Sequence, residues 1–404
     1  MRQKIQDICP ASVQVDTHNA KPSRSPIYPT VVYKCDTVDQ ADKILGGQVE
    51  GYAYVRNGHP NADILSEKCR QLHNAEQAVI TTSGMSATAL AMISQLQSGD
   101  HVLLCDRLYG GTVSWVKNEA SRLGIESSTA DFFDIDSVKS NVTENTKMLV
   151  AETISNPMLR VLDLRSIADL AHENNALLLV DNTFASPVVC RPLELGADLV
   201  VESMTKIMNG HSDTMLGLLC GRDQCWDRVG SALTIWGWTS SPMSCWHVER
   251  GLATLYARLS LASRTSRWLA DKIGEIPNVE KVTYPGSKNH PDFATAEKQF
   301  GGCQGSGDSD ETLFSHLVTF KLNGGLPAVN RFVEASSEVT FCPTLGELST
   351  AFSHPVSTSH RGLSTVEQQN LGIDPGTIRL SVGLESREFI LQSLEHAIQS
   401  SGAH

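Results

Sequence analysis

The chain has 404 residues, enough for one large domain and a smaller one, each able to bury its own core. Its 45 acidic against 33 basic residues give a formal net charge of -12 at pH 7, which argues against a surface of clustered Lys and Arg for nucleic acid. The longest apolar runs, such as Ala176 to Val180, have strand length, so no membrane span or targeting segment is expected and the cytoplasm is the default location.

Residues 1–60 read as an irregular arm, because Pro10, Pro22, Pro26, Pro29 and Pro60 break any long helix, and an arm of this kind often packs on another subunit. From Asn61 the pattern becomes regular. A helix is expected over Ala62 to Asn74 and a strand over Ala78 to Thr82, stopped by Ser83-Gly84-Met85 before a helix over Ser86 to Leu96. The alternation continues with His101 to Cys105 as strand, Thr112 to Leu123 as helix and Met148 to Ala151 as strand. Leu164 to Glu173 then reads as helix, with Leu177 to Val180 and Leu199 to Val201 as apolar strand runs. Near-continuous apolar strands alternating with amphipathic helices imply a mostly parallel central sheet with helices on both faces, an α/β domain over residues 61–258.

After Arg258 the composition changes. A helical stretch to Ile273 and a run from Val279 to Tyr284 precede a Gly/Ser/Asp-rich loop, Gly301 to Glu311. Strands over Leu317 to Lys321 and Ile378 to Val382, with a closing helix over Ser386 to Ser400, fit a smaller C-terminal α+β domain over 259–404. The ten cysteines contain no C-x-x-C pair, so they read as small buried hydrophobes; no disulfide framework and no metal site are expected.

In an open parallel sheet, ligands bind at the carboxyl ends of the strands, so the residues that follow each apolar run carry the chemistry. Ser83-Gly84-Met85 opens a helix, where backbone N–H groups and a close-approach glycine suit a phosphate. Glu152 and Asn156-Pro157 follow Met148 to Ala151, Asp181 follows Leu177 to Val180, and Ser203-Met204-Thr205-Lys206 follows Leu199 to Glu202. Each alone has an ordinary explanation: a capped turn, a turn aspartate or a solvated lysine. Together they supply what pyridoxal-5'-phosphate (PLP) chemistry needs: Lys206 as the Schiff-base amine, Asp181 as the carboxylate for the pyridine nitrogen, and phosphate donors. Tyr109, in Tyr109-Gly110-Gly111-Thr112 after the strand at His101, is an aromatic that can stack on the ring.

These segments resemble the transsulfuration enzymes of Cys/Met metabolism, a PLP-dependent transferase family of fold type I that includes cystathionine γ-synthase and γ-lyase. The match runs in order through Tyr54-Val55-Arg56, Ser83-Gly84-Met85, Tyr109 to Thr112, Glu152 to Pro157, Val180 to Phe184, Ser203 to Lys206, Gly210 to Asp213 and Ile378 to Glu385. The resemblance implies that Lys206 binds PLP and acts as base, that Asp181 pairs with the ring nitrogen and that Tyr109 stacks on it. It assigns Gly84, Met85, Ser203 and Thr205 to the phosphate, with Tyr54 and Arg56 reaching it from a neighbouring subunit. Arg379 would take the substrate α-carboxylate, with Asn156 beside it. The expected protein is then a homo-oligomer, dimer or tetramer, with shared sites, acting at the β- or γ-carbon of sulfur-containing or O-acylated amino acids.

Some positions depart from the family pattern. Ala53 and Pro343 stand where relatives handling cystathionine often have acids, Thr344 replaces a serine, and Gly111 stands where methionine γ-lyases usually have cysteine. An O-acylhomoserine sulfhydrylase is therefore an alternative, followed by a methionine γ-lyase or an aminotransferase. A PLP-binding regulatory or scaffold relative is the non-enzyme alternative, and no G-x-G-x-x-G after the first strand supports a dinucleotide-binding domain.

Overall fold

The structure, a computed structural model, describes residues 4–9, 11, 22–301 and 311–402. Pro10 and most of the loop expected over Gly301 to Glu311 therefore lie outside the described residues.

Seven strands form the first sheet: β1 (Gln77–Thr81), β2 (His101–Cys105), β3 (Glu126–Ala130), β4 (Thr146–Glu152), β5 (Leu177–Asp181), β6 (Leu199–Ser203) and β7 (Gly217–Gly221). Their spatial order is β1-β7-β6-β5-β4-β2-β3, and β7 pairs antiparallel with both neighbours while the other pairings are parallel. The strands run apolar because both faces are covered: every residue of β2 and β7 is buried. The helix Leu164–Glu173 buries Leu164, Ile167, Ala168, Leu170 and Ala171 on one stripe, and Asp163 caps it by accepting from the Ser166 amide at 3.2 Å.

A second, five-stranded sheet has the order β10-β11-β12-β9-β8, from β8 (Val279–Thr283), β9 (Leu317–Leu322), β10 (Thr340–Phe341), β11 (Ala351–Ser353) and β12 (Thr377–Ser381). The 20-residue helix Leu255–Gly274 packs on β8 and β9 and spans the point between residues 258 and 259, and the helix Arg387–Ser401 packs on it and on the helix Gly325–Ala335.

Three local expectations need correction. The arm is not wholly irregular, since Val38–Leu45 is helical; no proline falls between Pro29 and Pro60, and Thr37 caps the helix by accepting from the Gln40 amide at 3.0 Å. The helix expected over Thr112 to Leu123 starts at Gly110, is α-helical to Trp115, then widens over Val116–Ala120 and tightens over Ser121–Leu123. Strands β3 and β7 were not expected: β3 (ESSTA) has almost no apolar content, and β7 is bounded by glycines at both ends.

Gly217 opens β7 between Thr81 and Ser203, and a methyl group there would overlap the Ser83 carbonyl. The carboxyl ends of β1 and β6 thus close around a position that only glycine fits. Gly217→Ala is expected to destabilise the fold by roughly 1–3 kcal/mol through overpacking. In urea the midpoint should fall with an unchanged slope; an unchanged midpoint would show that these strand ends have room to spare.

Candidate active site

The carboxyl edge of the first sheet faces β12 and the loops beside it across a pocket of about 540 Å³. From β1 come Gly84 and Met85, from β2 Tyr109, from β4 Glu152 and Asn156, from β5 Asp181, and from β6 Ser203, Thr205 and Lys206. Arg379 enters from the middle of β12. Nine of the expected site residues, eight from five strand ends of the first sheet and Arg379 from β12, therefore line one cavity. Tyr54 and Arg56 do not: they sit in the arm, with Tyr54 bridged to Val32 and the Arg56 guanidinium 5.5 Å from the Tyr54 ring centre.

Each wall has a local cause. Ser83 caps the helix Gly84–Gln95 in a reciprocal box with Ser86, its hydroxyl accepting from the Ser86 amide at 3.1 Å. The Gly84 and Met85 amides are left without a protein acceptor among the described residues, at the positive end of a twelve-residue helix. A Cβ at Gly84 would stand 2.8 Å from the Ser203 Cβ, so glycine keeps this cradle open. Ser203 is fixed in turn by its amide, which donates to the Thr183 hydroxyl at 2.8 Å.

Glu152, buried at the end of β4, accepts from the Tyr109 amide and, at 3.2 Å, from the Asn156 amide. Burial, reinforced by Asp181, raises its pKa well above the usual carboxylate value. Burial also raises Asp181, against the pull of hydrogen bonds from Thr183, whose amide donates at 2.9 Å. Among the described residues the Asp181 carboxylate thus has no cationic partner. Arg379 donates to Asn156 Oδ1 at 2.6 Å and to the Thr344 carbonyl at 3.3 Å, stands 5.3 Å from the Phe184 ring centre, and leaves its buried Nε without an acceptor. Burial lowers its pKa to about 10.

Lys206 Nζ lies 3.4 Å from Thr344 Oγ1, and burial together with the nearby Arg379 lowers its pKa from the ordinary lysine value. Such an amine loses its proton more readily than a surface lysine, as a nucleophile or base requires. A helix start with unpaired amides, a carboxylate with no cation beside it, an amine of lowered pKa and a guanidinium with a free donor, as found among the described residues, form a donor set that fits PLP with an amino-acid substrate.

Several contributors had no role assigned from the sequence. Glu152 was expected at its strand end without a stated task, and Thr183 lies within Val180 to Phe184. Thr344 was noted only as a departure from the family pattern, and Met215, Ser357, Thr358, Ser359 and Arg361 follow no long apolar strand, so nothing in the sequence pointed to those five. Among the described residues no group of three or more His, Cys, Asp or Glu could hold a metal, and no helix is long and apolar enough to cross a membrane.

A family model described as Cys/Met metabolism PLP-dependent enzyme matches residues 11–399. An L-methionine gamma-lyase of Fusobacterium nucleatum is 33% identical over 377 residues, covering 93% of each chain. An O-succinylhomoserine sulfhydrylase of Pseudomonas aeruginosa is 34% identical over 359 residues, covering 89% of this chain and 86% of its own. A cystathionine gamma synthase of Xanthomonas oryzae pv. oryzae, solved with aminoacrylate and cysteine, superposes with a TM-score of 0.91 at 30% identity over 99% of both chains.

In cofactor-free protein, the pH dependence of Lys206 acylation should have its midpoint below the free-lysine value of about 10.4. Arg379→Leu removes a neighbouring positive charge and should move that midpoint upward, as peptide mapping of the labelled lysine at each pH would show. A midpoint that stays put would mean that the two groups do not interact.

Proposed function

The chain belongs to the Cys/Met metabolism PLP-dependent enzyme family, and on that premise we propose how its residues divide a transsulfuration-type reaction at the β- or γ-carbon of a sulfur-containing or O-acylated amino acid. PLP, when bound, supplies the electron sink that makes the α-proton of an amino acid removable. Lys206 is its attachment point. Gly84, Met85, Ser203 and Thr205 hold the phosphate, Asp181 holds a positive charge at the ring nitrogen, and Tyr109 covers the ring. The observation that carries this assignment is the meeting of Lys206, Asp181, Arg379 and the helix start at Gly84 in one pocket.

Arg379 takes the substrate α-carboxylate, and its bond to Asn156 fixes the guanidinium plane. Carboxylate binding offsets the positive charge that depresses Lys206, so the amine becomes more basic as substrate arrives. Lys206 then removes the proton at Cα. Loss of a β-substituent needs only that removal, whereas loss or replacement of a γ-substituent needs a second one at Cβ. The two relatives of nearly equal identity differ in reaction, so identity does not choose between breakdown and replacement. Without acids at Ala53 and Pro343, the distal pocket favours the O-acylhomoserine reading over one that depends on a distal ammonium.

The active form proposed is a cytoplasmic homo-oligomer, dimer or tetramer, in which the arm of residues 1–60 serves a neighbour's site, while 61–258 and 259–404 form the two walls of the pocket. The arm exposes Val31, Val32, Val38, Leu45 and Val49, and the helix Val38–Leu45 buries none of its residues, as expected of a segment that waits for a partner.

Incubation with cystathionine, O-acetyl- and O-succinylhomoserine and methionine, with and without a thiol, should yield keto acid with ammonia, or a thioether. Amino-group transfer alone would overturn the reaction class. Inactive Arg56→Ala and Lys206→Ala proteins, refolded together, should regain partial activity, because a hybrid dimer contains one site with neither defect. Proven hybrids that stay inactive would count against a shared site.

A further inference from the structure

The pocket has a second guanidinium. Arg361, an exposed residue, also lines it, and among the described residues it makes no ion pair and its side chain makes no hydrogen bond. The only carboxylates in the lining among the described residues, Glu152 and Asp181, accept hydrogen bonds from Tyr109, Asn156 and Thr183 at the sheet edge. Nothing in the pocket is thus arranged to balance Arg361.

An exposed arginine is ordinarily a solvated one. Its support is what sets this one apart. The Thr358 hydroxyl donates to the His354 carbonyl at 2.8 Å, and His354 Nδ1 pairs with the Ser357 hydroxyl at 2.8 Å while its Nε2 meets the Pro375 carbonyl at 3.1 Å. On the other side, Gln368 Nε2 donates to the carbonyl of buried His360 at 3.0 Å. The backbone is pinned on both flanks of a long cation whose head is left free. Ser357, Thr358 and Ser359 are short, which keeps the approach to it open. Pro343 and Met215 line the same pocket and offer no side-chain N–H or O–H donor to a polar substituent.

We propose that Arg361 is a specificity residue that reads a carboxylate at the far end of the substrate side chain, and so selects amino acids whose γ-substituent ends in a free carboxylate. This rests on the reaction class proposed above. Arg379 holds the α-carboxylate, the carbon chain passes the apolar stretch, and the terminal carboxylate meets Arg361.

O-succinyl- and O-acetyl-L-homoserine carry the same ester at the γ-carbon and differ in the terminal carboxylate. Release of succinate or acetate by the holoenzyme measures both without regard to the acceptor. The holoenzyme should prefer the succinyl ester in kcat/KM, mainly through KM, and the preference should shrink as salt is added. Arg361→Gln should cut the succinyl-to-acetyl ratio by about tenfold, the scale of one charge-assisted pair; Arg361→Lys should retain most of it. Turnover of both esters with a ratio untouched by Arg361→Gln would overturn this assignment alone. Failure to turn over either ester would overturn the O-acylhomoserine reading beneath it, and this inference with it.

Discussion

The cations Lys206 and Arg379 share one pocket with the carboxylates Glu152 and Asp181, and no direct ion pair joins them among the described residues. Lys206 faces the Thr344 hydroxyl, Arg379 faces the amide oxygen of Asn156, and Glu152 is satisfied by backbone amides. Neutral groups therefore hold the charges apart. Burying charges in this way costs free energy, and a direct salt bridge would relieve part of the cost while ending the site's usefulness. Each charge remains short of a partner that a ligand can bring: an anion for the helix start at Gly84, a cation for Asp181 and a carboxylate for Arg379.

That separation depends on the two sheets. The first sheet aims five strand ends at one edge, and the bonds within β1, β6 and β7 fix Ser83, Gly84 and Ser203 relative to one another. The second sheet supplies Arg379 from the centre of β12, where its backbone pairs with Thr319 and Ser353 on either side. Gly346 ties the walls together: a side chain there would collide with the backbone of Ile207, next to Lys206. The loop carrying Thr344 therefore sits directly against the lysine's own turn.

Much of this was legible in the sequence where the physics is local. Runs such as Leu177 to Val180 can be little but buried parallel strands, and the polar residues after them fall where such sheets bind ligands. The elements missed are those decided at long range. β7 reads GLLCG and becomes a strand only because β1 and β6 present unpaired edges on either side. The helix Val38–Leu45 was hidden by the prolines around it. Thr344 and Arg361 lie in short irregular segments after Phe341 and Ser353, and only the packing of the second sheet against the first brings them to the pocket.

The central claim, that Lys206 is the residue joined to PLP and that the surrounding charges are arranged for it, is tested most directly by borohydride reduction of the holoenzyme followed by peptide mapping. The account predicts one pyridoxyl group per chain, on the peptide containing Lys206, and its absence when Lys206 is replaced by Ala. A pyridoxyl group on another lysine, or none in wild-type protein saturated with PLP, would contradict it.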